Sequence, residues 1–225
     1  IMGPFANSER GCALETAKRL RPCYFGLCFV HMWIYCTTHR PSVSDELSTM
    51  AVMDLAQSAA LVAMFLLARH SRSTGRQVAH MSKDASRAAD VASTLFMSVC
   101  ALVLAGAIPA GSALVAGVAS GLGGIGVTWA YARWCQFYAK LDLRLAAPLV
   151  FATMAIGSAG KVIIDLLGAI PASAVLAVIP WVCFACAAHA NANPPQGTSE
   201  PRIYYNWRTV TSIARLAAGV AVFSF

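Results

Sequence analysis

Long apolar runs constrain this chain more than any other feature of its sequence. Six runs occur, at residues 23–38, 50–68, 91–110, 112–132, 146–168 and 170–190. At about 1.5 Å of rise per residue, each of the last five can cross the roughly 30 Å hydrocarbon core of a bilayer as a helix. The runs show no apolar–polar alternation and are rich in Ala, Leu, Val and Gly, which argues against strands. The sequence therefore predicts an all-α fold, a polytopic membrane bundle of six transmembrane helices.

The overall composition agrees with that class. Hydrophobic residues make up 58% of the 225 residues and charged residues only 12%, whereas about a quarter of a soluble domain is charged. Disordered, collagen-like and disulfide-scaffold proteins are excluded by the same numbers. Most of the eight cysteines lie inside apolar runs, so we expect them to be reduced, buried side chains.

The positive charges fall on alternate connections. Fourteen of the 17 Lys and Arg residues lie in the N-terminal tail or after the second, fourth and sixth runs. Of the other three, Arg40 lies in an alternate connection, and Lys161 and Arg215 lie within apolar runs. By the positive-inside rule, this asymmetry predicts a multi-pass protein of the inner (cytoplasmic) membrane with a cytoplasmic N-terminus. The net charge of +7 is then mainly an orientation signal, and a nucleic-acid surface is its weaker interpretation.

These signals divide the chain into four parts. We expect a cytoplasmic tail at 1–22, a six-helix bundle at 23–190, a Pro-containing cytoplasmic linker at 191–208, and the start of a seventh transmembrane helix at 209–225. Because the sequence begins with Ile1 and its last residues lie inside an apolar run, we expect a fragment of a longer protein.

Three ionisable residues within the runs form the candidate ligand pocket. Asp54 lies near the predicted outer start of the second helix, and Lys161 and Asp165 lie one turn apart near the outer end of the fifth. Charge is costly in hydrocarbon, so such residues commonly face a bundle interior, a partner or a water cavity. The alternative interpretation is that both carboxylates reach the membrane interface and Lys161 extends outward to it.

Small residues recur at helical spacing in the fourth run. Gly117 and Gly121 form a GxxxG step, and Gly124 continues it. Such a face lets helix backbones approach closely, so we assign these glycines to helix packing; a hinge is the alternative.

The sequence offers little evidence for metal or cofactor binding. His31 stands alone, and Cys183, Cys186 and His189 lie within two turns of one helix, which does not close a tetrahedral site. Catalytic and nucleotide-binding motifs are also absent from the sequence. We therefore expect no metal, no cofactor and no enzymatic activity.

An amphipathic segment follows the fourth run. Trp134, Phe137, Tyr138 and Leu141 recur at helical spacing beside basic residues. This pattern predicts a helix extension that lies on the inner membrane surface as an anchor.

The loop after the second run resembles the signature G-x-L-a-D-r-x-G-r-r of the major facilitator superfamily. The matching stretch is 67–76, where Gly75 and Arg76 suit the pattern and Arg69 occupies the acidic position. With six helices and a cytoplasmic N-terminus, the resemblance implies the N-terminal half of a facilitator-like bundle. The missing acid argues against active alternating-access transport.

A second resemblance covers essentially the whole chain. The glycine-rich run 121–126, the aromatic segment 129–142, and Pro194, Pro195 and Trp207 are similar to the membrane-embedded regulators of the LuxR type. That family joins a facilitator-like bundle to a C-terminal helix-turn-helix domain. The resemblance implies that the bundle binds a small-molecule ligand and that DNA is bound only by a C-terminal domain outside this chain.

Three functional hypotheses follow. The first is the sensory membrane portion of a LuxR-type transcriptional regulator. The second is the N-terminal half of a facilitator transporter for a small solute, and the third is a stand-alone six-span protein with a structural role.

Overall fold

Six α-helices, preceded by one 3-10 turn, make up the part of the chain that the structure describes. This computed structural model covers residues 21–38, 46–73, 83–108, 112–141, 143–167 and 169–194. After the 3-10 turn Pro22–Phe25 come α1 (Leu27–Thr38), α2 (Glu46–Ser73), α3 (Lys83–Leu104), α4 (Ala113–Tyr138), α5 (Leu143–Asp165) and α6 (Ala169–Ala192). No strand occurs in these ranges, as the sequence predicts.

Five of these helices can cross a membrane. They contain the spans Met50–Leu67, Asp84–Leu104, Ala113–Tyr138, Leu145–Asp165 and Pro171–Ala192, judged by length and apolar character. The protein is therefore a multi-pass helical membrane protein, and lipid is its surroundings. The first predicted helix is short, since α1 has 12 residues. The tail before Arg21 and the predicted seventh helix at 209–225 lie outside the described residues.

Local sequence explains how these helices satisfy their polar groups. Ser112 caps α4, because its hydroxyl accepts a hydrogen bond from the backbone N–H of Val115 at 3.4 Å. Hydroxyls inside the spans donate to carbonyls of their own helix one turn back, as Thr94 does to Asp90 and Thr128 does to Gly124. This pairing lets hydroxyl groups lie within an apolar bundle without an unsatisfied donor.

A series of pairwise contacts joins the six helices. In this series α2 packs against α4, α4 against α3, α3 against α6, α6 against α1, and α1 against α5. Weaker contacts join α4 to α6 and α1, and α5 to α6. The helices α2 and α5 are therefore the two ends of the series.

Glycines set the closest helix approaches. A Cβ at Gly126 would lie 2.8 Å from the carbonyl oxygen of Ser93 on α3, and a Cβ at Gly124 would lie 2.5 Å from that of Met53 on α2. A Cβ at Gly157 on α5 would lie 3.0 Å from the carbonyl oxygen of Cys28 on α1. Only glycine fits these positions without a shift of backbone.

The predicted surface anchor after the fourth run is wrong. The helix α4 continues to Tyr138, and Trp134, Phe137 and Leu141 are buried in the core. Trp134 packs edge-on to Phe137, and Phe137 packs against Tyr24 of the 3-10 turn with ring centroids 5.1 Å apart. Neighbouring parts of the protein, rather than the bilayer surface, therefore cover the apolar face of this segment.

Candidate functional site

Lys161 and Asp165 form an ion pair at one end of α5. Their spacing of four residues places both side chains on one face of the helix. The two side chains remain 28% and 44% exposed, so the pair lies at the bundle surface. The predicted proximity of these two residues is thus found in the structure, although their role in a ligand pocket stays a prediction.

Asp54 lies on α2, at the other end of the series of packed helices. Its side chain is exposed, whereas its neighbour Met53 is buried against α4. Among the described residues, no hydrogen bond or ion pair joins Asp54 to Lys161 or Asp165, and no other group pairs with its carboxylate. The structure thus brings together two of the three predicted pocket residues.

The three glycines of the fourth run differ in their surroundings. Gly124 lies directly against α2, and a Cβ at Gly121 would make an ordinary 3.8 Å contact with Val52 of that helix. A Cβ at Gly117 would meet no atom of the described residues within 4 Å. The close approach of α4 and α2 therefore depends on Gly124 rather than on Gly117.

A polar network that the sequence analysis missed lies at the other end of the bundle. The Asp90 carboxylate, at 9% exposure of the whole residue, accepts a hydrogen bond of 2.8 Å from the indole N–H of Trp129. The Nε atom of Arg133 lies 3.1 Å from the same carboxylate oxygen, as an ion pair rather than an aligned hydrogen bond. Asp90 on α3 therefore binds two side chains that lie one turn apart on α4.

The network continues from α4 to the last turn of α6. Asn191 donates to the carbonyl oxygens of Arg133 at 3.2 Å and Ala187 at 3.0 Å. The ammonium group of Lys140 lies 3.3 Å from the side-chain oxygen of Asn191 and donates to it. The end of α6 is thus fixed to α4 through one side chain.

The 3-10 turn joins the same region. The hydroxyl of Tyr24 donates to the backbone carbonyl oxygen of Asn193 at 2.8 Å. The hydroxyl of Tyr138 donates to the backbone carbonyl oxygen of Tyr24 at 3.2 Å. Arg21 donates to the His189 ring at 3.5 Å. We call this region, from the 3-10 turn, the start of α3 and the ends of α4 and α6, the basic end.

The helix directions follow from these contacts. The starts of α1 and α3 and the ends of α4 and α6 meet at the basic end. Gly121 and Gly124 meet successive residues of α2, and Gly157 and Gly160 meet successive residues of α1. Thus α2 runs alongside α4 toward the basic end, and α5 runs alongside α1 away from it. Asp54 and Lys161 therefore both lie toward the opposite end of the bundle.

A sequence signal for the buried ion pair exists but is weak. Asp90 immediately precedes the third apolar run, so it has the appearance of an ordinary flanking residue. Trp129 and Arg133 are four apart at the end of the fourth run, which places one donor and one charge on a common helix face. The two side chains can be recognised as partners of Asp90 only once α3 is known to pack against this face.

His31 is the buried histidine of α1. Its Nδ1 atom lies 3.4 Å from the Tyr131 hydroxyl, and its ring stacks on Tyr35 with centroids 6.3 Å apart. The Nε2 atom is buried and has no hydrogen-bond partner among the described residues. Aromatic packing against α4 and within α1 accounts for this position.

The cysteines and histidine of α6 do not converge. The indole N–H of Trp134 lies 3.4 Å from the Cys183 sulfur and donates to it, whereas Cys186 packs near Gly26. His189 lies at the basic end beside Arg21. Across the described ranges, no group of three or more His, Cys, Asp or Glu side chains is placed to hold a metal ion.

Comparison with known proteins adds no family to this description. No protein-family model matches the chain, and no curated protein or solved structure matches it. The site must therefore be interpreted from its own geometry.

Proposed function

We propose that this chain is the sensory membrane portion of a LuxR-type transcriptional regulator of the inner membrane, with its N-terminus in the cytoplasm. A small ligand changes the helix packing, and a C-terminal domain outside this chain binds DNA. The polar network at the basic end is the observation that carries this proposal. It fixes the last turn of α6 to α4, and α4 in turn to α3, at the start of the Pro-containing linker.

The coupling has a simple physical basis. Arg133 contributes its side chain to the pair with Asp90 on α3 and its carbonyl oxygen to the bond with Asn191 on α6. A shift of α4 relative to α3 therefore moves the carbonyl group that holds Asn191, the residue at which the linker begins. A ligand drives such a shift only if it binds the two helix arrangements with different affinity.

Chromatin recovery from cells tests the proposal. The tagged, intact gene product is expressed, cross-linked to DNA and recovered beside a tagged inner-membrane protein of unrelated function. We expect defined promoter sites to be enriched, and we expect Arg133→Gln to change their occupancy because it breaks the Asp90 pair. The matched control is Arg87→Gln, an exposed arginine one turn before Asp90 on α3, which we expect to leave occupancy unchanged. Recovery equal to that of the unrelated membrane protein contradicts the regulator.

The transporter half is the second candidate, supported by one observation. Asp54, Lys161 and Asp165 expose charge on two apolar spans, as groups that line a solute path do. Uptake of a panel of radiolabelled sugars, amino acids and organic acids by proteoliposomes tests it. Accumulation that Asp54→Asn abolishes supports transport, and absence of uptake across the panel, with intact promoter binding in cells, favours the regulator.

A further inference from the structure

Two basic side chains flank the last turn of α6. Arg21, which precedes the 3-10 turn, is exposed, and its guanidinium group lies 3.5 Å from the His189 ring. Just after α4, the ammonium group of Lys140 lies 3.3 Å from the side-chain oxygen of Asn191 and 3.5 Å from its backbone oxygen. None of these partners carries a negative charge. Within the described residues, both cations therefore lack a counterion.

The described acids of the basic end are placed elsewhere. Asp90 pairs with Arg133, and Asp84 lies three residues before the exposed Arg87 on α3. Residues three apart on a helix are neighbours, so Arg87 has an acid one turn away. In the part of the chain that the structure describes, no carboxylate pairs with either cation beside α6.

The last turn of α6 lies at the depth of lipid headgroups. The helix α6 has 24 residues and α4 has 26, which correspond to lengths of about 36 Å and 39 Å. The hydrocarbon core is roughly 30 Å thick, so the ends of both helices extend beyond it. Because the bundle lies in lipid, headgroup phosphates are the anions that surround this turn.

The guanidinium group of Arg21 suits a phosphate. It carries five N–H donors in a planar fork, which matches two phosphate oxygens at once. Among the described residues, only the contact with His189 uses these donors. Lys140 places a second positive charge on the other side of the same turn. An anionic headgroup supplies the net negative charge that this turn lacks.

We propose that the 3-10 turn and the last turn of α6 form a binding site for an anionic phospholipid, in which Arg21 binds the headgroup phosphate and Lys140 contributes positive potential. The hydrogen bond from Tyr24 to Asn193 already holds the 3-10 turn against the end of α6, so the site is formed before the lipid binds. This proposal is independent of the regulator function.

Native mass spectrometry of the full-length chain in detergent tests the site. Dioleoylphosphatidylglycerol is titrated, and the bound lipids are counted. We expect the Kd to rise about tenfold for Arg21→Gln and by a smaller factor for Lys140→Gln. Arg87→Gln is the matched control, since it removes the same charge from the same end of the bundle, and its Kd is expected to equal that of the wild type.

Three outcomes of this titration contradict the proposal. An equal rise in Kd for Arg87→Gln and Arg21→Gln would reduce the effect to general charge attraction, and an unchanged Kd for Arg21→Gln would remove the phosphate contact. Dioleoylphosphatidylcholine, whose choline group neutralises its phosphate, is the comparison lipid. Equal affinity of the wild type for the two lipids also overturns the site, and an unchanged Kd for Lys140→Gln overturns the role assigned to that residue.

A second measurement separates a lipid headgroup from a free phosphate. Thermal unfolding of the full-length chain in detergent is followed with added dioleoylphosphatidylglycerol or with glycerol phosphate at the same concentration. We expect the lipid to raise the unfolding midpoint by about 2–4 °C in the wild type and in Arg87→Gln, but not in Arg21→Gln. Glycerol phosphate is expected to raise it in none of them. An equal rise with glycerol phosphate overturns the proposal. No rise with lipid in the wild type does so too, and it leaves a carboxylate of the chain itself as the counterion of Arg21.

Discussion

Asp90 is the residue through which α3 holds the end of α4. Its carboxylate pairs with Arg133 and accepts the indole N–H of Trp129, and its surroundings exclude most water. Removing one member of such a pair leaves a largely buried charge without compensation, which costs more than the pair itself contributes.

We therefore expect Asp90→Asn and Arg133→Gln each to lower the free energy of unfolding by about 1–3 kcal/mol. The double variant recovers part of that loss because no unpaired charge remains. Thermal unfolding of the purified protein in detergent, followed by circular dichroism, measures the effect. Asp84→Asn is the matched control, since Asp84 is exposed in the first turn of the same helix. Strict additivity of the two substitutions would argue against a shared interaction.

Individual functional side chains were harder to predict from the sequence than helices were. Asp54, Lys161 and Asp165 were recognisable because each charge stands inside or beside an apolar run. Asp90 and Arg133 flank their runs, so their burial depends on how α3 and α4 pack against each other. Local sequence places Trp129 and Arg133 on one helix face, but it does not show that α3 packs against that face.

The helix α4 is the element that organises the bundle, because it packs against α2 and α3 most extensively and also against α6 and α1. Its glycines differ by face. Gly126 and Gly124 lie against backbone of α3 and α2, whereas Gly117 faces no neighbour within the part of the chain that the structure describes. The spacing of small residues predicted a packing face. Which helix each glycine contacts could not be predicted without the positions of the other helices.

Two alanine substitutions distinguish these faces. Gly124→Ala places a methyl group 2.5 Å from the carbonyl oxygen of Met53, so α2 must move away and we expect a loss of about 1–3 kcal/mol. Gly117→Ala meets no described neighbour within 4 Å and gains helix propensity, so we expect no loss of stability. Unfolding midpoints of the two variants in one detergent give the comparison. Equal destabilisation by both would contradict the assigned faces.

At the scale of the whole molecule, the sequence predicted helix type and approximate position well. Apolar runs of span length correspond to α2–α6, because backbone hydrogen bonding in lipid leaves few alternatives to a helix. The set of packed helix pairs could not be predicted, since it includes contacts between helices that are not consecutive, such as α2 with α4 and α1 with α5. The segment after the fourth run was misassigned for the same reason: its aromatic face was visible, but its covering helices were not.

The side of the membrane on which the basic end lies links the charge pattern of the sequence to the proposed signalling. In the proposed orientation, the basic end, with Arg21, Arg133 and Lys140, faces the cytoplasm. Single cysteines test this in a background without native cysteines, at two exposed positions from opposite ends of the bundle. We expect Ala107→Cys, just after α3, to react with a membrane-impermeant maleimide in cells whose inner membrane is intact. Asn193→Cys, just after α6, is expected to react only after the inner membrane is permeabilised. The reverse pattern, or labelling of both positions from outside, would contradict the account.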